Sequence, residues 1–118
     1  VKFYVICPVR HATQGQQEAI MRYVTLLESE GHIVFYPPRD NVHEKSPTGM
    51  DICRANRNAI EQADVVLVYY DPTSLGSHFD LGIAFALHKP IVLINDPPDP
   101  GGKAFSRVVR IWTATGAE

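Results

Sequence analysis

Asp80 follows a Ser74-Leu-Gly-Ser77 turn and opens the apolar run Leu81-Gly-Ile-Ala-Phe-Ala-Leu87. Ser77-His-Phe-Asp80 fits a capping box, in which the serine caps a helix and the acid reaches back to an unpaired amide. The same carboxylate could instead be a nucleophile or base beside a bound anion. The two roles compete, because a carboxylate committed to a backbone amide is a poorer nucleophile. Ser74 and Gly76 lie just ahead of the helix, whose free amides and positive dipole end suit a phosphate. Asn56 and Tyr4 are further polar groups in otherwise apolar runs. Arg10 is a cation on a loop suited to bidentate anion binding.

These residues need elements to hold them. Val65-Val-Leu-Val68 and Ile91-Val-Leu-Ile94 read as buried parallel strands, and the helix expected over about Ser77–His88 joins them into a βαβ unit. Ligands of such units bind beyond the carboxyl ends of the strands. Upstream, Phe3-Tyr-Val-Ile-Cys7 reads as a first strand stopped by Pro8. Gln14–Glu30 carries Ala19, Ile20, Tyr23, Val24 and Leu27 at helical spacing, with Gly31 as its stop. Ile33-Val-Phe-Tyr36 reads as a second strand, followed by a long aperiodic segment to Gly49 that is expected to cover the site. Between Asp51 and Asp64 the stripe Ile52, Cys53, Ala59, Ile60, Ala63 predicts a helix. Asn56 lies on that stripe and faces inward, where an amide must find partners. Val108–Trp112, after a Pro- and Gly-rich loop, is β-prone and is expected to form a last strand. The order predicts a doubly wound, flavodoxin- or Rossmann-like α/β domain with a five-stranded parallel sheet, helices on both faces and the site at the ends of strands one and three.

The chain has 118 residues, 45% of them apolar, and a net charge of -2. That length suits one domain, residues 1–118, with a core of its own. The composition excludes disorder and speaks against a nucleic-acid partner, so any phosphate must be held locally. Cys7 and Cys53 read as reduced thiols. No apolar run reaches membrane-spanning length and no signal-peptide layout is visible, so no membrane partner and a cytoplasmic location are expected. His11, His32, His43 and His88 lack metal-ligand spacing; neither metal nor cofactor is expected.

Pro72-Thr-Ser-Leu-Gly-Ser-His-Phe-Asp-Leu-Gly-Ile-Ala-Phe-Ala86 resembles the active-site signature of the nucleoside 2-deoxyribosyltransferase superfamily, and most its 2'-deoxynucleoside 5'-phosphate N-hydrolase branch. Asp80 stands where that family carries a catalytic Glu, and Asn56 where a carboxylate commonly stands. Tyr4-Val-Ile-Cys-Pro8 resembles the Tyr-Leu-Ala-Gly-Pro opening, in which the Tyr hydroxyl lies near the catalytic carboxylate. Cys7-Pro-Val-Arg10 resembles a Cys-Gly-Ser-Ile-Arg run whose Arg contributes to the ligand pocket. Gly101-Gly-Lys-Ala-Phe-Ser106-Arg-Val-Val-Arg110 resembles a late Ser-Ala-Met-Ile-Arg segment whose Ser reaches the phosphate of a neighbouring subunit.

The resemblance implies cleavage of an N-glycosidic bond of a nucleoside 5'-monophosphate, by hydrolysis or base transfer, with Asp80, Tyr4 and Asn56 catalytic and Arg10, Ser74, Gly76, Ser77 and Ser106 binding substrate. His78, His11 or Tyr4 would supply a proton to the leaving base. Ser106 and the apolar outer surface of the third helix both imply a homodimer or larger homo-oligomer. The two departures leave a second class, a nucleotide-binding sensor with weak or no turnover. A third is a flavodoxin-like module for another phosphorylated ligand. Release of base separates the first from the second; nucleotide affinity separates both from the third.

Overall fold

The computed structural model describes residues 1–42 and 45–115. Its elements are β1 (Lys2–Ile6), α1 (Gln14–Ser29), β2 (Ile33–Phe35), α2 (Pro37–Asp40), α3 (Met50–Gln62), β3 (Val65–Val68), α4 (Leu75–Ala86), β4 (Ile91–Leu93) and α5 (Phe105–Thr115). The four strands are all parallel in the order β2-β1-β3-β4. Chain order therefore reverses between β1 and β3, and the crevice at that reversal is where α/β sheets of this kind hold ligands.

Side chains of a strand alternate between faces, so each central strand feeds two cores. Tyr4 and Ile6 of β1, with Val66 and Val68 of β3, pack with Ile60, Leu81, Ala84, Val109 and Trp112 of α3, α4 and α5. Val5, Cys7 and Leu67 pack with Ile20 and Val24 of α1. The register opposes Tyr4 to Val66 and to Phe35, and the Tyr4 and Phe35 rings stack at 5.7 Å. A slip of one residue would turn Tyr4 toward α1 and away from α4.

Local chemistry sets the helix ends. Thr13 and Gln16 form a reciprocal capping box at the start of α1, and Gly31, at φ 91°, follows its end as the sequence predicts. α4 differs from expectation. Its N-cap is Ser74, whose hydroxyl accepts from the Ser77 amide, so the helix begins before Ser77 and Asp80 sits beyond reach of its first free amides. The capping box expected of Ser77 and Asp80 is absent.

The sheet has four strands where five are expected, because Val108–Trp112 lies within the helix α5. Its apolar residues serve either period over so short a run, and the edge of β4 decides between them. Val109 and Trp112 fall on one helical face and enter the core. Trp112 Nε1 donates to the Lys89 carbonyl at 2.9 Å. Thr113 Oγ1 accepts from the Leu93 amide at 3.0 Å and donates to the Ile91 carbonyl at 3.2 Å. A helix side chain thus meets the edge groups that a fifth strand would have paired. Among the described residues no helix is long and apolar enough to cross a membrane.

Candidate active site

The carboxyl ends of β1, β2 and β3 open into a cleft of about 690 Å³, a volume suited to a small ligand. Cys7 to His11 line it from the loop after β1, Pro37, Pro38 and Asn41 from the segment after β2, Ile52, Cys53 and Asn56 from α3, and Asp71 to Asp80 in part from the loop and first turns of α4.

Asp80 is one of its lining residues. The fully buried Tyr4 donates from Oη to Asp80 Oδ2 at 2.9 Å, across 76 residues of sequence. Burial pushes the Asp80 carboxyl up to about 6, and the bond from Tyr4 offsets part of that rise. The Tyr4 hydroxyl is held well above its ordinary value by burial first and by the Asp80 charge second. It therefore keeps its proton and acts as a fixed donor. Asp80 Oδ1 makes no bond to another described residue, so one oxygen is oriented and the other is left without a protein donor among them. Cys7 also lines the cleft, yet burial, reinforced by Asp80, pushes its thiol up to about 12. At neutral pH it keeps its proton and is a poor nucleophile.

The turn before α4 is tightly built. Asp71 Oδ1 accepts from the Thr73 amide at 2.8 Å and hydroxyl at 2.7 Å, an Asx turn that delivers Ser74 to its capping position. Ser74 Oγ donates to the buried Ser77 Oγ at 2.8 Å. With Ser77 N bound to Ser74, the amides of Leu75 and Gly76 remain unbonded among the described residues at the cleft wall. A Cβ built at Gly76 would meet no protein atom within 4 Å. The missing side chain therefore serves nothing in the chain's own packing and leaves room above those amides. Arg10 also lines the cleft, from the loop after β1, and is exposed.

The structure thus brings Asp80, Tyr4, Asn56, Arg10, Ser74, Gly76 and Ser77 together. It does not bring Ser106 to them: that residue is buried in the first turn of α5 and lies outside the lining of its own chain's cleft. His78 is also turned away. Its Nδ1 lies 2.6 Å from the Ser74 carbonyl and must donate to it, so the neutral ring accepts from Tyr70 Oη at Nε2, 2.9 Å away. Its ring packs on Phe105 rather than in the cleft. Of the three expected proton donors only His11 is among the residues that line the cleft. Cys53 and Asn41 are lining residues that spacing alone does not single out; Asn41 falls in the aperiodic segment expected to cover the site. No group of three or more metal-ligating side chains occurs among the described residues, and His43 lies outside them.

Comparison with known proteins bears on the fold and the family. The family model for nucleoside 2-deoxyribosyltransferase matches residues 3–108. A 2-deoxyribosyltransferase from the psychrotolerant bacterium Bacillus psychrosaccharolyticus superposes with a TM-score of 0.65 at 21% identity, covering 79% of this chain and 71% of that one. The CMP N-glycosidase BcmB of Clostridium botulinum superposes with a TM-score of 0.64 at 16% identity, covering 96% of this chain and 83% of that one. No curated protein matches the chain by sequence. At these identities the two structures speak for the fold, while the family model spans nearly the whole chain and reaches from Tyr4 through Asp80 to Ser106. The chain belongs to the nucleoside 2-deoxyribosyltransferase family.

Proposed function

We propose that this protein cleaves the N-glycosidic bond of a nucleoside 5'-monophosphate, with Asp80 as nucleophile. The observation that carries the reading is the Tyr4–Asp80 pair: a half-buried carboxylate with one oxygen fixed by a donor and the other free in a nucleotide-sized cleft. In the first step Asp80 Oδ1 bonds to the anomeric carbon as the C–N bond breaks. The bonding pair goes to the base nitrogen, which takes a proton from water. In the second step water, or a second base, attacks the anomeric carbon and releases Asp80, the logic of retaining glycosidases. The test is incubation with ribo- and deoxyribonucleosides and their 5'-monophosphates, with detection of free base. No base from any of them refutes the reading.

The phosphate is assigned to the Leu75 and Gly76 amides, Ser74 and Arg10. Charge-assisted hydrogen bonds of this kind contribute roughly 1.5–3 kcal/mol each. Arg10→Ala is therefore expected to weaken 5'-monophosphates about tenfold and to leave nucleosides nearly unchanged, as calorimetric titration can show. Equal affinity of the parent for nucleoside and monophosphate would sink this assignment.

A second reading, a nucleotide-binding sensor, is favoured by one observation: position 56 is an amide that cannot deliver a proton. Tight retention of intact nucleotide by the parent would select it.

The active form is proposed to be a homodimer through α4 and α5, which brings Ser106 to the neighbour's cleft. Phe79, Phe85, Phe105 and Ile111 on these helices are each more than half exposed, an unusual load for an isolated chain. Sedimentation at micromolar concentration should give a dimer or larger, and Phe79→Glu should shift it toward monomer. A monomeric parent overturns the assembly.

A further inference from the structure

Asn41 and Asn56, 15 residues apart, form a pair on the cleft wall whose orientation follows from a single backbone carbonyl. Asn41 Nδ2 lies 3.2 Å from the Ile52 oxygen, an acceptor only, so the nitrogen end of Asn41 must point there. The same Nδ2 lies 2.8 Å from Asn56, whose contacting atom must then be its oxygen, Oδ1. Reversing Asn56 would set two donors face to face, and reversing Asn41 would set two carbonyl oxygens face to face. Asn56 Nδ2 is thus left with no partner among the described residues. It is not sealed in the protein either, because the one unpartnered side-chain polar atom among those residues that is fully shut off from solvent is Arg110 Nε. Asn56 is only 8% exposed and the open space it borders is the cleft.

We infer that Asn41 is a positioning residue that locks the Asn56 carboxamide with its NH2 toward the ligand, making α3 a fixed hydrogen-bond donor to an acceptor on the bound nucleotide. The inference rests on the proposed nucleotide reading for its ligand and on the Asn41–Asn56–Ile52 geometry for its orientation. A carboxylate at position 56 would accept, or when protonated deliver a proton; a locked amide can do neither at its NH2. The site then selects a ligand that presents a carbonyl oxygen or unprotonated ring nitrogen to α3, and it steadies charge on a departing base without protonating it. A buried donor facing a group that cannot accept loses its water without replacement, and discrimination of that kind is large.

Side-chain amide resonances of the 15N-labelled protein test both halves, with Asn41→Leu and Asn56→Asp providing the assignments. In the free protein the Asn41 NH2 protons, both committed, should exchange with solvent more slowly than those of Asn56. Adding CMP, UMP or their deoxy forms should shift the Asn56 NH2 downfield and slow its exchange. Asn41→Leu should raise KM or Kd for these nucleotides roughly tenfold with a smaller change in kcat, and Asn56→Asp, which keeps its bond from Asn41 but presents an oxygen, should do the same. Faster exchange at Asn41 than at Asn56 overturns the locked orientation, and triple-resonance assignment of the parent secures this reading should either variant fail to fold. Asn56 signals unmoved by a nucleotide that the protein cleaves overturn the donor role and leave the glycosidase reading intact. The expected exchange order with no base released from any nucleotide supports the orientation and refutes the glycosidase reading.

Discussion

Asp80→Asn is expected to lower base release from the best 5'-monophosphate by roughly a thousandfold or more, as loss of a covalent nucleophile does elsewhere, with nucleotide affinity within a few-fold of the parent. The same change should stabilise the fold at neutral pH. In the folded protein burial holds the Asp80 carboxyl at about 6, against 3.8 for an ordinary aspartate. Between those values the native state binds more protons than the unfolded chain. The contribution of Asp80 to stability is therefore fully present below about pH 4 and is lost as pH rises through 6. Above pH 6 the ionised, desolvated carboxylate costs up to about 3 kcal/mol, part of which a neutral Asn relieves despite a weaker bond from Tyr4. Melting curves of parent and variant between pH 5 and 8 should separate as pH rises, the variant melting higher. Curves that stay parallel would show that Asp80 is not desolvated, and an Asn variant that still releases base would remove it from the chemistry. Asp80→Glu, which keeps a carboxylate one methylene longer, should retain measurable turnover and so assign the loss in Asn to the charge.

Tyr4→Phe removes the one described group that binds Asp80 while leaving the ring stacked on Phe35. The Tyr4 hydroxyl lowers the Asp80 carboxyl, so its removal should raise that carboxyl further above about 6. On the proposed mechanism, activity requires the ionised form. The parent kcat/KM is thus expected to rise with pH and level off above about 6, and the variant's acidic limb should move to higher pH. At pH 7 the variant loses rate twice, through a smaller ionised fraction and through an unanchored nucleophile; together these should amount to roughly ten- to a hundredfold. The pH profile separates them, because only the first loss is recovered at pH 8 to 9. An acidic limb that does not move would mean that the parent's pH dependence belongs to a group other than Asp80.

Both predictions depend on a contact between residues 4 and 80, and its two halves were legible to different degrees. Composition and period alone place Tyr4 in a strand and Asp80 at the start of a helix beyond the next-but-one strand, since short β-branched runs, Gly31 and Pro8 act locally. The family resemblance adds that the two should meet. The hydrogen bond itself, and the burial that raises the carboxyl, come from the register of β1 on β3, which turns Tyr4 toward α4.

Elsewhere local signals were ambiguous and tertiary contacts chose. Ser74 and Ser77 are equally good N-cap residues, and the Asx turn at Asp71 brings Ser74 into place, which frees Asp80 from capping. Val108–Trp112 satisfies both periods over five residues, and the unpaired edge of β4, met by Thr113, makes it helical. His78 is as polar as His11, but the Tyr70 hydroxyl and the Ser74 carbonyl hold it behind the turn. Asn56 is inward-facing by helical spacing, yet which of its ends meets the ligand is set by Asn41, from a segment without any period. Periodicity records which face of an element is buried; it carries no information about which polar atom a distant loop will satisfy, because that depends on where the chain returns in space.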